Sequence, residues 1–243
     1  MSGHANYELF KMEIKNINIQ EVPIIRATEK TLQGYGIIVQ DFNTTQVITN
    51  TWPKLSGRPL DNNTGNQAHP TEGIFKFYYE NDYCKANNES VPNGNYITGI
   101  LPQNENIHNI ITHLYTREAN YHPDGGQVIY PKNKIPFILL LSKAGDNIKP
   151  SDFIGFYFNG DFGVQILPYV WHQPAYPLSK EAIFYNKQCS VHGCVTVDTV
   201  NEFNTLLKVN FKPYINIKDM SINTFGTTGL GESEPPKLYK SKL

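Results

Sequence analysis

The strongest constraint on this sequence is the rhythm of its apolar residues. Short runs rich in Val, Ile, Tyr and Phe recur along the chain, most of them bounded by Gly, Pro or Asn. "GIFKFYYEND" (73–82) alternates apolar and polar side chains, the pattern of a half-buried strand. "NYITGILP" (95–102) reads as a second strand, with residues 86–94 and their Pro92-Asn93-Gly94 signal as the hairpin turn between them. "IPFILLLS" (135–142) is apolar almost throughout, as for a strand buried on both faces. "IGFYFNGDFGVQIL" (154–167) reads as strand, turn, strand. "EAIFYN" (181–186), "CVTVDT" (194–199) and "TLLKVNF" (205–211) complete the series, and before it Glu21–Ile25 is a candidate first strand and Thr31–Val39 a short turn running into a strand. Long Ala/Leu/Glu/Lys helical blocks are absent, and 15 Tyr and 13 Phe are punctuated by 18 Gly and 16 Pro. The expected class is all-β, a sandwich or barrel with few short helices.

A chain of 243 residues can bury a core without disulfides or a structural metal. Residues 1–12 read as a loose leader, 13–215 as a single domain with a Pro/Gly/Asn-rich loop insertion near 50–72, and 216–243 as a flexible tail. The net charge is -1 and the basic residues form no dense cluster, so small-molecule chemistry is favoured over nucleic acid. Cys84, Cys189 and Cys194 are odd in number and lack a CxxC spacing, which argues for free thiols. Cys189 and Cys194 are expected in one strand, pointing to opposite faces. No apolar run reaches membrane-spanning length, and no signal peptide is readable at the N-terminus. The last three residues, Ser241-Lys242-Leu243, spell the peroxisomal import tripeptide. They predict a peroxisomal location and an import receptor as partner.

Two segments carry candidate chemistry. In "EANYHPDGGQ" (118–127), Glu118, Asn120 and His122 share one face of a strand, and Gln127 returns after a Pro-Asp-Gly-Gly turn. "GDFGVQILPYVWHQP" (160–174) ends on His172. Imidazoles have ordinary pKa values near 6.5 and serve as acid or base near neutrality. An amide such as that of Gln127 can both donate and accept hydrogen bonds. Asp124 and Asp161 read as turn residues, Trp171 as core, and His113 and His192 as structural histidines in strands.

These segments resemble the two motifs of cupins, with Asn120, His122 and Gln127 at the first motif's His, His and acid positions. Gly163, Pro168 and His172 resemble the second motif. The closer resemblance is to the ureidoglycolate lyase family. Its E-x-H-P-x-G-x-Q signature corresponds to His122-Pro123-Asp124-Gly125-Gly126-Gln127, and its V-W-H-x-P to Val170-Trp171-His172-Gln173-Pro174. A third match is Tyr35-Gly36 with the two Ile that follow. The family's Glu falls on Asn120, and a His and an Arg of its second motif fall on Leu167 and Pro168. The resemblance implies a cupin-type jelly roll that splits ureidoglycolate to glyoxylate and urea, with His122, His172, Gln127 and Glu118 as catalytic candidates. Asn120, Tyr130, Trp171 and Tyr169 are the substrate-binding candidates.

His122, Gln127, His172 and Glu118 form a candidate donor set for one divalent metal (Zn, Mn, Fe or Ni), and the alternative of no cofactor stays open. A small polar acid is the expected substrate and a homodimer the expected assembly. Two alternatives remain at this point: another cupin enzyme (a metal-dependent oxygenase, isomerase or hydrolase), which tight iron would favour, and a non-catalytic binding module, which an apolar pocket would favour.

Overall fold

The computed structural model describes residues 16–50, 57–62, 64–65, 71–89, 94–102 and 111–215. The expected leader, part of the 50–72 insertion and the tail with its tripeptide therefore lie outside the described residues. Strands β1 (Asn18–Glu21), β2 (Ile24–Arg26), β3 (Gly36–Val39), β4 (Thr71–Glu80), β5 (Tyr83–Asn88) and β6 (Asn95–Ile100) come first. They are followed by β7 (His113–Thr116), β8 (Glu118–Tyr121), β9 (Gln127–Pro131), β10 (Phe137–Ser142), β11 (Ile154–Phe158) and β12 (Gly163–Ile166). The series ends with β13 (Trp171–His172), β14 (Tyr176–Pro177), β15 (Glu181–Gln188), β16 (Val195–Asp198), helix α1 (Thr199–Phe203) and β17 (Thr205–Asn210). The all-β expectation holds.

One sheet has ten strands in the order β1-β17-β7-β6-β5-β4-β15-β9-β12-β3. The other runs β16-β8-β13-β10-β11-β2, with β14 also paired to β10. β10 is buried along its whole length, as its apolar run predicts. Ile138 and Leu140 join Tyr121, Trp171 and Tyr176 in one cluster, which the larger sheet completes with Leu114, Leu207 and Val209. Phe137, Leu139 and Leu141 join Phe156 and Phe158 in another, completed by Ile129, Val164 and Phe184. The smaller sheet is thus covered on both faces by strands of the larger one, a cupin-like sandwich. Each fully buried side chain of this kind contributes about 1.5–3 kcal/mol relative to exposure.

Several local expectations change. The strand expected at Glu21–Ile25 divides at Val22-Pro23, where Pro lacks an N–H for a ladder. Its halves pair in parallel with different sheets, β1 with β17 and β2 with β11, so the chain crosses between layers there. The hairpin turn expected from residue 86 starts later, because β5 continues to Asn88 with Cys84, Ala86 and Asn88 turned inward. Asp198 ends β16 and caps α1, its carboxylate accepting from the amides of Val200 and Asn201. Cys189 and Cys194 do not share a strand but flank the turn between β15 and β16, and all three thiols are free and buried. Among the described residues no helix is long and apolar enough to cross a membrane.

Candidate active site

β8 alternates cleanly. Ala119 and Tyr121 enter the core, while Glu118 and Asn120 point to the other face. Directly opposite Asn120 are His172 on one side and Thr196 on the other. His172 in turn pairs with Leu141, so a row of four neighbouring side chains crosses the sheet on the face of the second core cluster. His122 follows β8 immediately, and its ring lies 5.1 Å from that of His172, centroid to centroid. The two motifs are tied by the backbone as well, since the Tyr169 amide donates to the His122 carbonyl at 3.2 Å.

Each imidazole is oriented from behind. His122 Nδ1 lies 2.9 Å from the Gly193 carbonyl, and His172 Nδ1 lies 2.9 Å from the Val170 carbonyl. A carbonyl can only accept, so Nδ1 carries the proton in both rings and each Nε2 keeps its lone pair. Gln127 projects beside His122 and donates through Nε2 to Asn186 Oδ1 at 2.8 Å. Gln127, Asn186 and Gln188 are all buried and share the inner face of β9 and β15, which makes this end of the core polar.

His192 is a third imidazole at this place. It sits in the β15–β16 turn with φ at +53°, not in a strand, and its ring lies 4.9 Å from that of His122. Asp124 holds the turn. Its carboxylate accepts from the amides of Val191 (3.1 Å), His192 (2.9 Å) and Gly193 (3.0 Å). Asp124 is therefore a buried anchor between two site segments as well as a turn residue. On the outer side, Thr64 Oγ1 accepts from the Cys194 amide, and Asp61 accepts from the Thr196 amide and hydroxyl. Residues 57–62 and 64–65 thus cover the edge strand β16.

The comparison with protein families matches residues 104–216 to the ureidoglycolate lyase family. That span, somewhat less than half of the chain, is similar to the ureidoglycolate lyase family. The matched span holds His122, Asp124, Gln127, His172 and His192. No curated protein sequence matches the chain.

Within this site, burial governs the electrostatics. Burial lowers the His122 pKa from its ordinary value, while the Gly193 carbonyl, the Asp124 charge and the Gln127 side chain act in the opposite direction. His172 is pushed down to about 3 by burial and by the neighbouring His122 and His192. His192 is likewise lowered to about 3, by burial and His122, with Asp124 opposing. All three imidazoles are neutral at pH 7. The Cys194 thiol lies 3.5 Å from His122 Nδ1, yet burial raises its pKa, so it does not supply a thiolate there.

The family resemblance also pointed to residues that stand elsewhere. Glu118 pairs with Asp198, four residues before His122 on an extended chain, or roughly 13 Å away along the strand. It does not join the imidazoles. Trp171 alternates away from His172 into the first core cluster, where its Nε1 donates to the Gly145 carbonyl. Tyr169 packs on Tyr121 on that same side. Tyr130 lies one position out of phase with Ile129 and faces Phe42 and Tyr185, with its hydroxyl donating to the Gln40 carbonyl. Strand parity turns Trp171 and Tyr130 away and the turn before β13 puts Tyr169 against the first cluster; Asn120 alone of the four substrate-binding candidates shares the His172 face.

The proposed metal donors fare similarly. Among the described residues no group of three or more His, Cys, Asp or Glu side chains is disposed to hold a metal ion. With Glu118 displaced along β8, the donor set of His122, Gln127, His172 and Glu118 is not assembled. His192 and Asp124 escaped the sequence because a lone His-Gly in a turn and an Asp after Pro carry no spacing signal. Asn186 and Gln188 were hidden as polar residues in an otherwise apolar alternation.

Proposed function

We propose that the chain is a ureidoglycolate lyase-like enzyme, splitting the carbon–nitrogen bond of ureidoglycolate to give glyoxylate and urea. The observation that carries this is the pairing of His122 and His172 across one polar end of the sandwich, inside a ureidoglycolate lyase family region. The substrate carbon bears a hydroxyl, a ureido nitrogen, a hydrogen and a carboxylate. Cleavage needs a base at the hydroxyl and a proton at the leaving nitrogen.

His122 suits the proton transfer. Its Nε2 lone pair takes the hydroxyl proton, and the resulting imidazolium is supported by the Gly193 carbonyl, Gln127 and Asp124. The O–H electrons become the carbonyl of glyoxylate, the C–N pair leaves with nitrogen, and the same proton passes to that nitrogen to complete urea. Charge and atoms balance with no external oxidant. His172, held neutral by burial, accepts a hydrogen bond from the substrate through Nε2 and fixes its orientation. Asn120 and Gln127 offer amide donors and acceptors matched to a ureido group.

We place this activity in the peroxisome, on the strength of Ser241-Lys242-Leu243. The direct test of the enzyme reading is incubation of the purified chain with ureidoglycolate and assay of urea and glyoxylate. Absence of both products under all conditions tried, divalent metals included, would remove it.

A further inference from the structure

The site as described leaves the substrate's carboxylate without a cation: the second-motif Arg of the resemblance falls on Pro168, and the one charged group at the imidazoles, the Asp124 carboxylate, is taken up by the amides of residues 191–193. Yet one buried polar atom at the imidazole cluster has no hydrogen-bond partner among the described residues, the Nδ1 of His192. A buried donor or acceptor left unpaired costs about 1–3 kcal/mol, so an unpaired nitrogen beside a candidate catalytic ring is a place where a ligand oxygen would be stabilising.

We propose that His192 is the carboxylate-binding residue of this site and that Asp124 is its positioning residue. The inference rests on the lyase reading for the identity of the anion, not for the site. Three observations converge. The His192 ring lies 4.9 Å from that of His122, tilted by 32°, so it belongs to the same imidazole cluster as the catalytic pair. Its neutral ring can carry the proton on Nδ1 and donate to a carboxylate oxygen. The backbone that presents it is unusually fixed: three successive amides of residues 191–193 converge on one buried carboxylate, and the His192 carbonyl accepts from the Gly65 amide at 3.1 Å. A turn built only to join two strands needs no such clamp, and the left-handed φ of His192 is a conformation a bulky residue enters at a cost.

The ligand class is a small α-substituted carboxylate such as a 2-hydroxy or 2-oxo acid, whose second oxygen reaches the His122–His172 pair while its carboxylate meets His192. Discrimination falls on the acid group: a ureido compound lacking the carboxylate leaves Nδ1 unpaired and binds poorly.

The test uses the full chain, with glyoxylate binding by calorimetry and ureidoglycolate kinetics read side by side. His192→Ala is expected to weaken glyoxylate binding and raise KM about tenfold or more, with kcat changed far less. His192→Asn tolerates the left-handed backbone and returns an amide donor near the Nδ1 position, so it recovers much of the loss. Asp124→Asn shifts KM in the same direction, and its effect shrinks in the His192→Ala background because the two act through one contact. Wild-type binding of glyoxylate that His192→Ala leaves unchanged overturns the proposal even if the lyase reaction runs normally. Loss of glyoxylate binding in His192→Ala from a chain that never turns over ureidoglycolate supports the carboxylate site and removes the lyase reading instead.

Discussion

His122 directly follows β8 and His172 lies on β13, and their rings meet at 5.1 Å because Asn120, directly before the Tyr121-His122 step, is the cross-strand partner of His172. A one-residue slip of β13 against β8 would turn His172 to the opposite face and bring Trp171 in its place. The site is therefore a property of strand register, and register is fixed by burying Trp171 on the far side. The first prediction follows directly. His122→Gln removes the proton carrier and is expected to lower kcat by about 10²–10⁴-fold, while His172→Gln lowers kcat less and raises KM. Product release at wild-type rates from both variants would show that the pair has no part in the chemistry.

The same burial gives a pH dependence of stability. A histidine whose pKa is lowered on folding binds fewer protons in the native state than in the unfolded one. Unfolding then takes up protons, and stability rises with pH between the folded and unfolded values. For His172 and His192 that window runs from about 3 up to the ordinary 6.5. The urea midpoint is expected to fall steadily as pH drops below about 6.5, and His172→Gln is expected to flatten the slope. A midpoint that stays level between pH 6.5 and 4 contradicts the buried neutral cluster.

Most of the fold was legible because it depends on period. Alternation in residues 73–82 and the unbroken apolar run at 135–142 state directly how many faces are buried, and β4 and β10 have those exposures. The site was legible only as far as parity carries along one strand. Asn120 and His122 follow from it, but so did Glu118, which parity puts on the right face and distance puts at the wrong place. Tyr130 and Trp171 were drawn in by their nearness in sequence to motif residues, and strand alternation turns each to the opposite face. His192 and Asp124 depend on a turn closing against another turn, a long-range contact that no local pattern encodes.

The Pro-Asp-Gly-Gly turn makes a steric prediction. A Cβ at Gly125 would sit 2.6 Å from both the Cys189 Cβ and the Ile48 carbonyl oxygen, where Thr49 forms a bridge to Gly125. Both neighbours are constrained, one by a buried thiol beside Asp124 and the other by backbone pairing. Gly125→Ala is expected to destabilise the chain by about 1–3 kcal/mol, the usual cost of overpacking, and to lower activity by displacing Asp124. An unchanged thermal midpoint would mean the 48–50 segment yields freely.

The C-terminal tripeptide is tested separately from the chemistry. A fluorescent protein extended by residues 226–243 is expected to gather in peroxisomes of a eukaryotic cell, and the same fusion ending before Ser241 to remain diffuse. Equal distribution of the two fusions would leave the proposed location without support.

The last prediction concerns the end of β8 away from the imidazoles. Arg117 is buried, with Nε donating to Asp198 Oδ1 at 2.8 Å, Nη2 to Asp198 Oδ2, and Nη2 also to Asn201 Oδ1 at 2.9 Å. Asp198 meanwhile caps α1, and the Arg117 carbonyl accepts from the Thr199 amide and hydroxyl. Removing the guanidinium leaves a largely buried carboxylate with only its cap bonds. Arg117→Ala is expected to cost about 3–5 kcal/mol, read as a lower urea midpoint at unchanged slope. Adding Asp198→Asn, which keeps the cap without the charge, should restore part of that loss, because the cost comes from the uncompensated charge and not from lost contacts alone. If the second substitution makes matters worse by its full single-mutant amount, the two residues are energetically independent and the charge argument fails.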